Sequence, residues 1–208
     1  MKALIAVLVA VILAGCSAQQ VRVSDPETVK AALAMKPENL KAYILGPGDV
    51  VSVNVWRNPD LSISVPVRPD GKISTPLVGD IQAAGRTPTQ LSQEMQKALA
   101  VYLREPQVSV VVTGMGSYEY LNRVRVTGAV NRPISTPYRE GMTVLDLVLD
   151  AGNVNNFAES EQAVLYRQMG QKTVVIPVDL RAIVEDGNLA SNYRLLPGDV
   201  LSVPERAF

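Results

Sequence analysis

Few residues of this sequence have the types and the spacing that catalysis requires. Asp146 and Asp150 stand four positions apart, so a helix would place both carboxylates on one face, as a carboxylate-dependent glycan-cleaving enzyme needs. Asp146 also stands three residues after Thr143, where it is expected to complete a capping box at a helix start. The sequence contains no histidine, the commonest general base and a common zinc ligand. We predict no catalytic residue, no metal and no cofactor, and keep the glycan-cleaving enzyme as an alternative.

The only cysteine stands where it can carry a lipid. Ala3–Ala14 is an uncharged apolar run of about a dozen residues, which fits a signal peptide, whereas a membrane-spanning helix needs about 20. The run ends in Leu13–Cys16, which resembles a bacterial lipobox. Ordinary cleavage after Ala18 and a retained anchor helix are the alternatives. We predict a signal peptide over residues 1–15 and a mature protein that begins with a lipid on Cys16.

The residues after the cysteine indicate a destination. Ser17 stands where, by the resemblance to lipoproteins, an aspartate would favour retention in the inner membrane. We therefore expect attachment to the outer membrane through the lipid, with the folded part facing the periplasm. Residues 16–40 are polar and are interpreted as a tether.

The composition excludes some partners. Lysine and arginine together number 20, as do aspartate and glutamate, so no basic excess favours nucleic acid. One tryptophan and two phenylalanines are few for a cleft that binds sugar rings tightly. Arg57, Arg68, Arg123 and Arg125 are candidates for contact with a glycan or a partner, although scattered arginines more often pair locally.

The first folded block is predicted over residues 41–115 as strand, hairpin, helix and strand. Valine alternates with polar residues from Val51 to Val55, and a second alternating strand contains Pro66, which indicates an edge or a bulge. Thr87 and Gln90 form a capping box for a helix that is expected to end at Glu105. We expect one face of that helix to be buried, formed by Leu91, Met95, Ala98, Leu99 and Tyr102.

The second block is predicted over residues 118–204, after a joint at Gly114–Ser117. A strand around Val124, a short helix capped by Thr143, two further strands, a helical turn and a final strand follow in this order. In the short helix, Leu145, Val148 and Leu149 are expected to face inward. The order is compatible with a β-grasp domain, so the predicted fold class is α+β.

One segment occurs twice. Tyr43–Val53 and Tyr193–Val203 agree at eight of eleven positions. Each copy contains Pro-Gly, which suits a type II turn, followed by an aspartate that can accept backbone hydrogen bonds and start a strand. The residues concerned are Pro47, Gly48, Asp49, Pro197, Gly198 and Asp199. They are interpreted either as structural turns or as the lining of a subunit contact or a sugar path.

Further sequence motifs accompany the two copies of this segment. The first block contains, in order, Tyr43, Leu45–Val50, Val55–Trp56, Pro59–Ser62, Val67–Ile73, Pro76–Gly79 and Ala84–Pro88. These residues closely resemble the opening domain of bacterial outer-membrane polysaccharide export proteins, the Wza-like group. The second block resembles the soluble-ligand-binding β-grasp (SLBB) domain in Val126–Val130, Pro133, Gly141–Asp146 and Ala151–Gly152.

The resemblance implies a conduit that works with an inner-membrane polysaccharide co-polymerase. Family members form homo-oligomeric rings through which a polysaccharide leaves the cell, and a closed ring uses two different faces of each subunit. Larger relatives add a C-terminal helix that forms a barrel through the membrane, whereas only Pro204–Phe208 follows the last strand here. We therefore expect a periplasmic collar beneath a separate outer-membrane β-barrel. A lipoprotein that binds a small ligand through its β-grasp domain is the alternative.

Overall fold

The computed structural model describes residues 22–36 and 42–206. The predicted signal peptide, Cys16 and Phe208 lie outside the described residues. Those described form two α+β domains, each with its own hydrophobic core. No helix among them is long and apolar enough to cross a membrane.

The secondary structure alternates short strands with short helices. Three 3₁₀ turns lie at Pro59–Leu61, Ser160–Gln162 and Leu189–Ser191. The α-helices are α1 (Pro26–Ala34), α2 (Pro88–Leu99), α3 (Gly116–Leu121), α4 (Val144–Asp150) and α5 (Leu180–Val184). The strands are β1 (Asp49–Val55), β2 (Ile63–Pro66), β3 (Lys72–Thr75), β4 (Gly79–Gln82), β5 (Val108–Met115), β6 (Arg123–Gly128), β7 (Ile134–Pro137), β8 (Ala163–Met169), β9 (Lys172–Val178) and β10 (Val200–Val203).

The first domain is built on an antiparallel sheet of order β2-β1-β5. Val51, Val53 and Val55 of β1 are buried, as their alternation with polar residues predicts. Pro66 lies on the edge strand β2, as predicted. Proline lacks a backbone N–H and is tolerated on an edge strand, where one side of the strand has no hydrogen-bonded neighbour. A separate hairpin of β3 and β4 packs against the same core.

Helix α2 covers this core. Its predicted capping box is present, with Gln90 N–H donating to Thr87 Oγ1 at 3.2 Å and the Gln90 side chain accepting from Thr87 N–H at 2.9 Å. Leu91, Met95 and Leu99 are buried as predicted. The expectation for Tyr102 was wrong: the helix ends at Leu99, and Tyr102 is 57% exposed.

The second domain contains a five-stranded sheet of order β7-β6-β10-β8-β9. Its first and last strands, β6 and β10, are parallel neighbours at the centre, and the other pairs are antiparallel. The segment that contains α4 joins β7 to β8, and α4 packs its buried side chains against the sheet. This is a β-grasp arrangement, and the predicted α+β fold class is confirmed.

Helix α4 begins as predicted but faces the core with a different set of residues. Thr143 and Asp146 form the capping box, and Gly152 follows the helix with φ +75°. The buried side chains include Val144 and Leu147 together with the predicted Val148. Leu149, expected to face inward, is 57% exposed.

The described part of the predicted tether is docked on the second domain. Ser24 N–H donates to Val175 O at 3.1 Å, and Val175 N–H donates to Ser24 Oγ at 2.9 Å. Asp25 caps α1, and Ala32 of α1 is fully buried in the core of the second domain. Residues 24–34 therefore belong structurally to the β-grasp domain, although they precede the first domain in sequence.

Candidate functional site

The two Pro-Gly-Asp segments form the same turn. Gly48 and Gly198 both have φ +91°, the left-handed conformation that the second central position of a type II turn requires. Asp49 N–H donates to Gly46 O at 3.2 Å, and Asp199 N–H donates to Leu196 O at 3.1 Å. The predicted turns are therefore confirmed.

Each aspartate also closes its turn with its side chain. Gly46 N–H donates to Asp49 Oδ2, and Leu196 N–H donates to Asp199 Oδ2, both at 2.8 Å. Asp49 and Asp199 are 0% and 1% exposed, and each stands where a central strand begins. These contacts give both carboxylates a structural role, while a function in subunit contact or glycan passage stays a prediction.

The other hydrogen-bond partners of Asp49 and Asp199 differ between the two copies. Asp49 accepts a hydrogen bond from Tyr43 OH at 2.7 Å and another from Ser117 N–H at 2.8 Å. Because Ser117 lies in α3, this second bond ties the first domain to the segment that leads into the second. Gly116 packs so closely on Gly48 that an added Cβ would lie 2.5 Å from Gly48 O.

In the second copy, the partner is a buried cation. Arg167 Nε and Nη2 donate to the two carboxylate oxygens of Asp199 at 3.0 and 2.6 Å, and both side chains are at most 2% exposed. The same guanidinium donates to Ala32 O at 2.9 Å and to Arg194 O at 2.8 Å. Arg167 therefore fastens α1 and the second turn to the sheet. This role of Arg167 was not predicted from the sequence, although the place of Arg167 on the inward side of β8, in line with Ala163 and Leu165, was a signal.

The hydrogen bonds shift the pKa values of the first pair. Burial of Asp49 opposes its charge, but the bonds from Gly46, Ser117 and Tyr43 outweigh burial and hold the pKa of Asp49 below its ordinary value. Burial raises the pKa of Tyr43 to about 12, and the neighbouring Asp49 carboxylate contributes to that rise. At neutral pH the pair is thus an ionised carboxylate and a neutral phenol.

The substitution Asp49→Asn is expected to destabilise the first domain by about 1–3 kcal/mol at neutral pH, because an amide offers the wrong atom to one of three donors. A lowered folded-state pKa gives stability above the unfolded pKa, near 3.8, and that stability is lost as the pH falls through the folded value. The difference between variant and wild type should therefore shrink at about pH 3. Urea unfolding followed by fluorescence of Trp56, the only tryptophan, measures this.

Asp60→Asn is the matched control, because Asp60 is an exposed carboxylate of the same domain. It should change the unfolding midpoint little at either pH. If Asp49→Asn lowers the free energy of unfolding by the same amount at both pH values, the charge of Asp49 does not provide the stabilisation.

The four predicted arginines have different surroundings. Arg68 pairs with Asp70 and, at 2.9 Å, with Asp80, and Arg123 donates to Ser135 O at 2.6 Å and to its Oγ at 2.9 Å. Arg57 and Arg125 are exposed. The structure does not bring the four together into one basic site, and their contact with a glycan or a partner stays a prediction.

The carboxylates considered for catalysis are already engaged. Asp146 accepts from Thr143 N–H at 2.8 Å, and Asp150 pairs with Arg139 at 2.9 Å. Among residues 22–36 and 42–206, no group of three potential metal-ligating side chains was found. The contacts of Asp146 and Asp150 are those of a helix cap and a surface ion pair.

The fold thus defines a class of protein: a small α+β domain followed by a β-grasp domain, each with its own Pro-Gly-Asp turn. Residues 37–113 match the family model described as polysaccharide biosynthesis/export protein, and residues 123–179 match that of the SLBB domain. The chain thus carries a polysaccharide biosynthesis/export domain followed by an SLBB domain, as the sequence motifs predicted.

Two curated relatives carry matching names. The EPS I polysaccharide export outer membrane protein EpsA of Ralstonia nicotianae is 26% identical over 189 residues, which is 79% of this chain and 48% of the relative. The capsule polysaccharide export outer membrane protein CtrA of Neisseria meningitidis serogroup B is 26% identical over 181 residues, or 78% of this chain and 44% of the relative. The chain thus spans about half the length of these relatives.

Proposed function

We propose that this protein is an outer-membrane lipoprotein of a machine that exports an exopolysaccharide or a capsule. The observation that carries the proposal is the succession of an export domain and an SLBB domain on one chain. Most of this chain also aligns with two relatives named as polysaccharide export outer membrane proteins. The partners in this proposal are the exported polysaccharide and an inner-membrane co-polymerase.

The docked N-terminal segment supports an orientation relative to the membrane. Ser24 is fixed on β9 of the second domain, and Cys16 precedes it by only eight residues. A fully extended chain of that length reaches about 28 Å. If Cys16 carries the lipid, the second domain must lie close to the outer membrane. We propose that the first domain extends from it into the periplasm.

We further propose that copies of the chain assemble into a ring or collar. A ring needs two different contact faces, and exposed apolar side chains occur at separate places: Tyr120 and Leu121 on α3, each 74% exposed, and Leu149 on α4. Mass measurement of the purified lipoprotein, alone and with the co-polymerase, tests the assembly. A monomer under both conditions would contradict it. A separate β-barrel as the membrane pore stays a prediction.

The experiment that tests the function is deletion of the gene in the producing bacterium, with complementation. Surface polysaccharide should disappear and return with the wild-type gene. The Cys16→Ser variant should accumulate as a folded, released periplasmic protein and fail to restore export, since several acyl chains are needed for stable anchoring. Unchanged surface polysaccharide in the deletion strain would remove the proposed function, and full export by Cys16→Ser would show that the lipid is dispensable.

A further inference from the structure

A groove lies at the end of the first domain opposite to the joint with the second. β1 begins at Asp49, which binds Ser117 at the joint, and ends at Val55, about 20 Å away at the ordinary rise of a strand. β5 runs antiparallel beside it, so its first residues, Val108 and Ser109, lie at the same far end. The loops that follow β1 and precede β5 form the walls of a cavity of about 770 Å³.

The lining combines one large aromatic ring with several amides. Trp56 is 68% exposed, although a tryptophan ring is the side chain that gains most from burial. The amide side chains of Asn54, Asn58, Gln96 and Gln107 line the same cavity. An exposed apolar ring among groups that both donate and accept hydrogen bonds is an amphipathic surface.

The wall that carries Trp56 is held in place. Trp56 N–H donates to Gln107 O, and Asn58 Nδ2 donates to Trp56 O, both at 2.9 Å. Ser62 Oγ donates to Asn58 O at 3.2 Å and accepts from Val55 N–H at 3.0 Å. The backbone that carries the exposed ring is thus fixed before anything binds, which reduces the entropy lost on binding.

Both walls contain strained backbone. Arg57 has φ +60° on one wall and Glu105 has φ +50° on the other, a conformation that residues other than glycine rarely adopt. They are two of the four non-glycine residues with positive φ in the described part of the chain. Strain of this kind persists where the surrounding structure enforces it, and it concentrates at binding sites.

We propose that this groove is a binding subsite for one or two sugar rings of the exported glycan, an inference that rests on the proposed function. One face of a pyranose carries C–H groups that pack on a flat aromatic ring, and Trp56 provides that ring. The hydroxyl groups at the edge of the sugar need polar partners. Asn54, Asn58 and Gln96 each donate one hydrogen bond within the protein, which leaves a second N–H and the carbonyl oxygen of each amide to a ligand. Gln107 adds a fourth amide. A cavity of this volume is within the range of small-ligand sites.

The position of the groove fits the passage of a polymer. It lies at the end of the first domain away from the second, which carries the docked N-terminal segment and is proposed to face the outer membrane. A glycan that arrives from the inner membrane would therefore meet this end first. A single aromatic surface in an open groove binds weakly, so the polymer is held and released as it moves.

The only tryptophan of the chain lies in the groove, and its fluorescence therefore reports on the site. Titration of the full lipidated protein with short oligosaccharides, prepared by partial hydrolysis of the producing bacterium's surface polysaccharide, should change its emission saturably. Gln107→Ala should raise the dissociation constant about tenfold. Gln168→Ala, which removes an exposed amide of the second domain, should leave it unchanged.

A parallel titration uses the periplasmic part of the co-polymerase in place of the oligosaccharides. Three outcomes would overturn the proposal: no change in emission with the oligosaccharides, equal oligosaccharide affinity in the Gln107→Ala variant and the wild type, or a change in emission only with the co-polymerase. The last would assign the groove to a protein partner. Loss of surface polysaccharide in the deletion strain together with a failed titration rejects the groove alone. Unchanged polysaccharide in that strain rejects the export function, whatever the titration shows.

Discussion

Replacing Gly128 with alanine is expected to prevent the second domain from folding. Gly128 ends β6 with φ +88° beside Val203 of the parallel strand β10. A Cβ atom there would overlap the carbonyl oxygen of Val203 and lie 2.9 Å from its carbonyl carbon. That oxygen also accepts a hydrogen bond from Ala129 N–H at 2.8 Å, so it cannot move without breaking the hydrogen bonding between β6 and β10. We expect a cost above about 4 kcal/mol, in the range of the most damaging single substitutions.

Gly141→Ala is the matched control for Gly128→Ala. Gly141 has φ +85°, but no atom lies within 4 Å of an added Cβ. Only the backbone preference is then lost, which costs about 1–2 kcal/mol. Far-UV circular dichroism and urea unfolding of both variants measure the difference. If both variants lose the same stability, positive φ alone explains the effect, and the close approach of β6 and β10 does not matter.

Replacing Arg167 with alanine is expected to destabilise the second domain by about 3–5 kcal/mol, because the buried carboxylate of Asp199 loses its cation. The carbonyl groups of Ala32 and Arg194 lose their donor in the same step. We therefore expect α1 to detach before the sheet unfolds. Hydrogen exchange across residues 24–34 should become faster in the variant under conditions where β8 and β9 remain protected.

Arg181→Ala is the control for Arg167→Ala. Arg181 pairs with Glu161 at 2.6 Å and with Glu185 at 3.4 Å, but all three side chains are more than half exposed. Exposed pairs contribute about 0–1 kcal/mol, so the unfolding midpoint should shift little. Slow exchange across residues 24–34 in the Arg167→Ala variant would show that other contacts hold α1 on the second domain.

Local patterns predicted the parts of the fold that neighbouring residues determine. The Pro-Gly turns and the capping boxes at Thr87 and Thr143 were confirmed because their hydrogen bonds join residues three positions apart. The alternating valines of β1 were confirmed because its two faces differ strongly in exposure. The family resemblance predicted the export domain and the SLBB domain, which the comparisons confirm.

Elements with weak local signals were missed. Strands β4 and β7 contain four residues each and do not alternate between apolar and polar side chains. Helix α3 begins at Gly116 within a stretch that was interpreted as a joint, since glycine is a poor helix former. Short strands and helices of this kind are stabilised by their pairing and packing partners, and the sequence does not identify those partners.

Tertiary packing decided the remaining differences. In α4, the predicted inward set with Leu149 and the observed set with Leu147 both have helical spacing, so the position of the sheet makes the choice. The bond from Ser117 to Asp49 spans 68 residues, and the bond from Arg167 to Ala32 spans 135. Contacts so distant in sequence are determined by the folded topology and leave no pattern in a single sequence.

The location of the polysaccharide in a deletion strain tests the export function most directly. Polymer in the periplasm and in the culture medium is quantified separately, with and without the complementing gene. The proposed function predicts that extracellular polymer is lost in the deletion strain while polymer, or its lipid-linked precursor, accumulates inside the outer membrane. Extracellular polymer at the wild-type level in that strain would contradict the proposed function.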